Sequence, residues 1–185
     1  FLRELRASVE HDPGFDLEHL AVLQLDFADT QYDSSRIAQE LSALRDMVSR
    51  AKGVTSVSVM SALPIGSERY ANAQVALLQG SLSGTGLAPS ASVARWMAVD
   101  GPVLDTLGVH LVEGRTLDER DRSGSPPVAV ISAALAERLF PNGQAVGGHL
   151  FTKRNDPASR SPVSIDASTP LTVIGVASDT DTNMF

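Results

Sequence analysis

The stretch that decides the fold runs from residue 113 to residue 179 and alternates short apolar runs with turns. It begins EGRTLDERDRSGSPPVAVISAALAERLFPNGQAVGGHLF (113–151), passes through a polar loop and ends PLTVIGVASD (170–179). Prolines and glycines bound the apolar runs, which predicts a strand, a short helix and two further strands. Nothing in the stretch resembles a catalytic apparatus, and this combination favours an interaction module over an enzyme.

The short helix of this stretch has well-marked ends. Residues 128–131 are an apolar run typical of a buried strand, and Ser132 follows as a helix N-cap whose hydroxyl can accept a hydrogen bond from the first turn. Residues 133–140 suit a helix, and Pro141 ends it because proline has no N–H and clashes with the preceding turn. We therefore expect strand, helix and turn in direct succession.

A longer amphipathic helix is predicted in the first third of the chain. Asp33 or Ser34 can cap a helix that runs to about Lys52, and Gly53 lies where a glycine commonly ends a helix. Its apolar stripe recurs close to the 3.6-residue period and comprises Ile37, Leu41, Leu44, Met47, Val48 and Ala51.

Strand-like runs complete the pattern. They cover residues 20–27, 54–60, 73–78, 91–99, 109–112, 149–152 and 172–177. The first two flank the long helix, which predicts a βαβ unit with a right-handed crossover. Pro102 suits the first position of another short helix, which Gly108 ends. Long polar segments over 81–90 and 155–170 are typical of loops, and the whole pattern predicts an α+β fold.

Composition and charge exclude several classes of function. The 185 residues carry a net charge of −7, which argues against nucleic acid as a partner, since binding it requires clustered lysine and arginine. The same charge argues against an anionic membrane surface as the main partner. The chain has no cysteine, which excludes disulfides, zinc–thiolate sites, iron–sulfur clusters and thiol nucleophiles.

One charged turn is the strongest candidate for a metal site. It interleaves acidic Asp118, Glu119 and Asp121 with basic Arg115, Arg120 and Arg122. A divalent-metal site is one interpretation, but a charge-balanced, solvated turn is favoured because every carboxylate has a cationic neighbour.

The remaining chemistry-bearing residues do not form a recognisable motif. Asp179 and Asp181 have the spacing of a calcium loop without its glycine and distal glutamate. The histidines are scattered, at His11, His19, His110 and His149. No serine lies in a nucleophile elbow, and no phosphate-binding loop is recognisable. Trp96 fits either an interface anchor or a half-buried strand position, and we favour burial. We therefore expect no catalytic, cofactor-binding or metal-binding residues.

The order of these motifs resembles a known family. A GRTL…RD segment, a VAVIS strand, an ALAERLFP helix, a VGGHLF strand and a VIGVASD strand follow one another as in the periplasmic core domain of the MacB-like ABC-transporter permeases, which are related to FtsX-type permeases. HDPGFD at 11–16, GVTSVS at 53–58 followed by Leu63 and Pro64, and residues 99–114 resemble further parts of that domain.

The resemblance implies a division of the chain into subdomains. A β-rich, sabre-like subdomain that carries the short helices would be inserted into a porter-like βαβ subdomain. The implied boundaries are 1–15 for a lead-in after a transmembrane helix, 16–63 for the first porter-like half, 64–179 for the sabre-like subdomain and 180–185 for the return. Further membrane helices, and a second βαβ-type segment that completes the porter-like part, are expected beyond Phe185.

The resemblance also implies a function. It is that of a non-catalytic periplasmic domain of an inner-membrane permease, which couples ATP-driven conformational change to export or extraction of a substrate by mechanotransmission. The implied partners are its own transmembrane helices, a second permease copy, an ABC ATPase domain or subunit and, in some systems, a periplasmic adaptor protein. Loops over 64–90, 115–124 and 153–168 are expected to carry recognition.

Two other classes of function remain open on sequence alone. One is a free-standing periplasmic small-molecule-binding module, which needs a pocket of roughly 300 Å³ or more. The other is a hydrolase whose serine or metal site is not recognisable. We expect the isolated chain to be a monomer.

Overall fold

Helices and strands are mixed along the chain. The computed structural model describes residues 14–16, 18–27, 31–62, 71–77, 92–122, 124–154 and 170–180. The helices in these ranges are α1 (Ser34–Ser49), α2 (Val103–Leu107) and α3 (Ala133–Leu139). The strands are β1 (Val59–Met60), β2 (Ala71–Leu77), β3 (Ser92–Trp96), β4 (Val99–Asp100), β5 (Leu111–Gly114), β6 (Val128–Ser132), β7 (His149–Arg154) and β8 (Leu171–Ala177). The predicted α+β class is confirmed. None of the described helices combines the length and the apolar content that a membrane crossing requires.

Strand β8 is the centre of a six-stranded sheet. The strands β3, β2, β7 and β8 follow one another in antiparallel pairs. β6 runs parallel to β8 along residues 172–177, so β7 and β5 must share the opposite edge of β8. β7 pairs with residues 171–172 and β5 with residues 175–177. A separate two-stranded sheet joins β1 to β4.

A β-bulge in β8 shapes its crossing with β5. Residues 129–130 of β6 pair with Val173 and Gly175, so Ile174 is the extra residue of the bulge. The carbonyl oxygen of Ile174 accepts a hydrogen bond from the N–H of Arg115 at 2.9 Å. A Cβ atom added at Gly175 would contact the carbonyl oxygen of Arg115, so the backbone of β8 passes the end of β5 where only glycine fits.

Two apolar clusters form the core, and β8 contributes to both. The buried residues of the first are Ile131, Ala136, Leu139, Ala145, Leu150, Leu171, Val173 and Val176. Those of the second are Phe15, Val103, Leu104, Leu107 and Ala177. Leu139 and Val173 are each only 1% exposed. Trp96 packs, partly buried, against the first cluster, in agreement with the preference for burial.

The helix predicted in the first third is confirmed, with a different end. The carboxylate of Asp33 caps α1 by accepting a hydrogen bond from the N–H of Arg36 at 2.8 Å. The helix ends at Ser49 rather than Lys52, and Arg50 takes the C-cap position. Gly53 lies in the next turn with a φ of 88°, so it reverses the chain without capping the helix.

The segments that flank α1 form less sheet than the sequence predicts. Residues 21–27 and 54–58 are described but belong to no strand, and pairing begins only at β1. The predicted strand over 20–27 is therefore wrong, and that over 54–60 is reduced to its last two residues. Alternation of apolar and polar side chains cannot make a strand by itself, because the backbone groups need a partner strand.

Other boundaries shift by a few residues. The run over 91–99 forms two strands, β3 and β4, instead of one. The strand expected over 109–112 starts later, as β5, and Pro102 is the N-cap of α2 instead of its first residue. α3 ends one residue before the predicted Phe140. The predicted loop at 81–90, and residues 155–169 of the second loop, lie outside the described residues.

Candidate functional site

The charged turn after β5 is closed by an arginine–aspartate pair. Arg115 donates from Nη1 to Oδ2 of Asp121 at 2.6 Å and from Nη2 to Oδ1 at 2.8 Å. Oδ2 of Asp121 also accepts from the N–H of Asp118 at 3.0 Å. The side chain of Asp121 is 6% exposed. The bidentate hydrogen bond from Arg115, above all, holds the pKa of Asp121 below its usual value, and the same bond raises the pKa of Arg115.

A second ion pair lies on the outside of the same turn. Arg120 donates from Nη2 to Oδ2 of Asp118 at 2.6 Å and from Nε to Oδ1 at 2.9 Å. These hydrogen bonds lower the pKa of Asp118 and raise the pKa of Arg120. Both side chains are open to water, so the pair orders the turn but stabilises the fold little.

The carboxylates of Asp118 and Asp121 are therefore directed at arginines and not at a common position that a metal ion could occupy. Asp118 and Asp121 each direct their oxygens at an arginine, while Glu119 and Arg122 are exposed. Within the described ranges, no group of three or more His, Asp or Glu side chains could hold a metal. The favoured interpretation of a charge-balanced turn agrees with these contacts.

Replacing Asp121 with asparagine (D121N) tests the inner pair. We expect the free energy of unfolding to fall by about 1 kcal/mol at pH 7, because the amide cannot form the charge-assisted pair with the partly solvated Arg115. The pKa of Asp121 is lowered in the folded chain, so its carboxylate stabilises the fold above the unfolded-state pKa of about 3.9. This stabilisation is lost as the pH falls through the lower folded-state pKa. Urea unfolding at a series of pH values measures it.

The control for this experiment is Asp118→Asn, which alters the exposed pair of the same turn. We expect a smaller loss than for D121N, since solvent screens this pair. A D121N deficit as large at pH 2.5 as at pH 7 would show that the carboxylate's charge is not what closes the turn.

The other sequence candidates lie apart from one another. Nδ1 of His19 lies 3.0 Å from Oδ2 of Asp16, and Nδ1 of His149 lies 3.3 Å from Oγ1 of Thr172. Asp179 accepts a hydrogen bond from the N–H of Ala134, the second residue of α3. That carboxylate therefore stabilises the first turn of α3. His11 and Asp181 lie outside the described residues.

A hydroxyl cluster that the sequence did not predict joins residues 56–58 to α2. Oγ1 of Thr106 lies 2.6 Å from Oγ of Ser56, 2.9 Å from Oγ of Ser58 and 3.0 Å from the carbonyl oxygen of Pro102. The carbonyl can only accept, so Thr106 donates to it and accepts from both serines. Because each of the three hydroxyls is hydrogen-bonded, the cluster links residues 56–58 to α2 and contains no free nucleophile. The alternation of serines at 56 and 58 was the only sequence signal.

Among the described residues, exposed apolar side chains lie on α1 and on the segment before it. No residue of α1 is buried. Val22, Leu23 and Met47 are more than half exposed, and Leu25 is 42% exposed. A groove of about 250 Å³ lies between α1 and the segment before it. It is lined by Leu25, Phe27, Tyr32, Glu40, Leu41 and Leu44. It is smaller than the roughly 300 Å³ at which small-molecule sites begin, so this groove by itself does not support the ligand-binding alternative.

Of the three recognition loops expected from the sequence, the structure describes one almost completely. The 115–124 turn is ordered by its ion pairs, with residue 123 outside the described ranges. In the 64–90 segment only the strand residues 71–77 are described, and in the 153–168 segment only residues 153–154. The part that these two loops play in recognition stays a prediction.

These features define an α+β domain with a bulged central strand, internally paired charges and no visible catalytic centre within the described residues. The chain belongs to the MacB-like periplasmic core domain family, whose family model matches residues 16–185. It is thus a periplasmic domain of the MacB/FtsX-type ABC-transporter permease class, as the order of its motifs predicted.

Solved structures of periplasmic and extracellular transporter regions resemble the chain. The periplasmic region of MacB from Actinobacillus actinomycetemcomitans is 19% identical, with a TM-score of 0.48, and the match covers 77% of this chain and 52% of that one. The extracellular domain of the noncanonic ABC-type transporter YknZ from Gram-positive bacteria is 16% identical, with a TM-score of 0.43, and 72% and 55% are covered. The chain thus spans about half the length of these structures. No curated protein matches it.

Proposed function

We propose that this domain transmits ATP-driven conformational change in a permease of the bacterial inner membrane, without catalysing a reaction itself. Movement generated by an ABC ATPase domain or subunit reaches it through the permease's transmembrane helices. Two copies of the domain then move relative to each other on the periplasmic side, and this movement drives export or extraction of a substrate. In systems that have one, a periplasmic adaptor protein contacts the same domain.

The observation that carries this proposal is the family match over residues 16–185. The internal bonding of the described residues supports it. Arg115 with Asp121, and Thr106 with its two serines, use their polar groups within the fold. A body held together in this way can pass on a displacement, because packed interiors deform little.

The same proposal includes a division into a porter-like part (16–63) and a sabre-like part (64–179). The helices support this division, because α2 and α3 contribute buried residues whereas α1 contributes none. α1 is fastened to β4 by the ion pair of Arg45 with Asp100, whose N–O distance is 2.7 Å. The rest of residues 16–63 is joined to residues 64–179 by the β1–β4 pairing and by the bonds of Ser56 and Ser58 to Thr106. One exposed ion pair holds a helix weakly, so α1 is the more mobile element of the porter-like part in this proposal.

Distance measurements between spin labels test the proposed movement. This chain has no cysteine, so a cysteine introduced at exposed Glu119 or Glu137 provides a unique label within the domain. In the full permease with its ATPase, in proteoliposomes, we expect ATP to change the Glu119–Glu119 distance between two copies by several ångströms. The Glu119–Glu137 distance within one copy is the control and should stay constant.

Two outcomes would count against the proposal. An inter-copy distance that is identical with and without ATP, while the reconstituted transporter hydrolyses ATP and moves its substrate, would exclude mechanotransmission through this domain. A change confined to the distance within one copy would show internal deformation instead of movement as a body.

A further inference from the structure

Two backbone segments that are far apart in sequence touch each other at one end of the fold. The leading segment comprises residues 14–16, and the trailing segment comprises residues 178–180, directly after β8. Gly14 has a φ of 74°, and a Cβ atom there would lie 3.1 Å from the carbonyl oxygen of Asp179 and 3.3 Å from Cγ2 of Thr180. The two segments are therefore close together, and a side chain at Gly14 would force the trailing segment to shift by a few tenths of an ångström.

The leading segment is fastened to α2. Phe15 is 8% exposed and packs in the second apolar cluster, with α2 and Ala177. The N–H of Asp16 donates to the carbonyl oxygen of Leu107, at the end of α2, over 2.9 Å. Gly108 permits this approach, since a Cβ atom there would lie 2.8 Å from Cβ of Asp16.

The trailing segment is fastened to α3 and to the residue before β5. Oδ1 of Asp179 accepts from the N–H of Ala134 at 2.9 Å, which is one of the N–H groups in the first turn of α3 that lack a partner within the helix. The N–H of Ser178 donates to the carbonyl oxygen of His110 at 2.8 Å. Ser132 caps the same helix from within, because its Oγ accepts from the N–H of Leu135 at 3.3 Å.

We propose that the leading and trailing segments form a clasp, a contact that makes these two segments move as one body. The leading segment is bonded to α2, and the trailing segment, which follows β8 directly, is bonded to α3. The contact between the two segments therefore links α2, α3 and β8. A displacement of the leading segment then also moves the trailing segment, and β8 stays paired in the sheet. The use of the clasp in transmitting movement rests on the proposed function, but its existence in the chain does not.

Hydrogen–deuterium exchange on the full 185-residue chain tests the clasp, with Asp179→Ala (D179A) compared with Ser132→Ala (S132A). Both variants remove one side-chain acceptor from the first turn of α3, but only D179A releases the trailing segment. We expect D179A to raise the exchange rates of the Asp16 and Ser178 amides by roughly tenfold or more. S132A should raise exchange in the first turn of α3 and leave Asp16 unchanged.

A third variant and an internal reference decide the result. Asp179→Asn retains an acceptor oxygen and should restore most of the protection of Asp16. The N–H of Val173 in β8, which donates to the carbonyl oxygen of Gly148 just before β7, reports opening of the whole fold. If D179A accelerates Asp16 no more than S132A does, or accelerates Val173 as much as Asp16, there is no clasp. Because this experiment involves neither ATP nor transport, its failure is separate from failure of the proposed function.

Discussion

Replacing Gly114 with alanine is expected to cost about 3 kcal/mol of folding free energy or more. Gly114 has a φ of 81°, and a Cβ atom there would contact the carbonyl oxygen of Ile174 and lie 2.9 Å from Cα of Gly175. The left-handed backbone alone costs an alanine about 1–2 kcal/mol. The backbone contact adds to this, because neither atom can rotate away and β5 must separate from the bulge in β8. Denaturant unfolding of the purified chain measures the loss.

Gly143 provides a matched control for this substitution. Its φ is also 81°, but no heavy atom lies within 4 Å of the position that a Cβ atom would take. We expect Gly143→Ala to cost only the backbone term of about 1–2 kcal/mol. Equal losses for the two variants would mean that the close crossing of β5 and β8 contributes nothing to stability.

Leu139→Ala is expected to lower the free energy of unfolding by about 3–5 kcal/mol, the upper part of the range for buried leucines. Leu139 is 1% exposed and lies in the first apolar cluster, between α3 and the sheet. Removing three carbon atoms there leaves a cavity, because α3 is fixed at its start by Ser132 and Asp179 and cannot collapse onto the gap. Urea unfolding followed by circular dichroism measures the change.

The same substitution at Leu23 is the control. Leu23 is 68% exposed in the segment that belongs to no strand, so Leu23→Ala should change the stability by about 0.5 kcal/mol or less. A loss comparable to that of Leu139→Ala would show that residues 21–27 pack into the core in solution.

The elements that could be predicted from sequence are those that local interactions define. Ser132 caps α3 through the N–H three residues later, and Asp33 caps α1 in the same way. Gly108 ends α2 in the left-handed conformation that glycine favours. In each case the interacting groups lie within one helical turn, so the signal is present in a few adjacent letters.

The features that could not be predicted depend on residues that are distant in sequence. Asp179 holds the first turn of α3 from 45 residues away, and Thr106 bonds serines 48 and 50 residues before it. β5 contains one extra residue, Val112, between Leu111, which pairs with Ala177, and Glu113, which pairs with Val176, and this irregularity depends on the partner strand. The alternation over 20–27 predicted a strand, but a strand also requires a neighbour, and no local pattern specifies one.

In the charged turn, too, contacts between residues close in sequence could be predicted, whereas contacts between distant residues could not. Interleaved charges within seven residues were enough to favour an ion-paired turn over a metal site, because Arg115 and Asp121 are close in sequence as well as in space. The backbone hydrogen bond from Arg115 to the carbonyl oxygen of Ile174 could not be predicted, because its two residues are distant in sequence.

The open surface of α1 and residues 21–27 has a thermodynamic consequence. A chain of 185 residues ordinarily gains roughly 2.2–2.8 kcal/mol/K of heat capacity on unfolding, because buried apolar groups become hydrated. Here Val22, Leu23 and Met47 are already hydrated in the folded chain and add little to that change. Their exposure lowers the heat-capacity increment relative to a chain that buries them, and a lower increment flattens the dependence of stability on temperature.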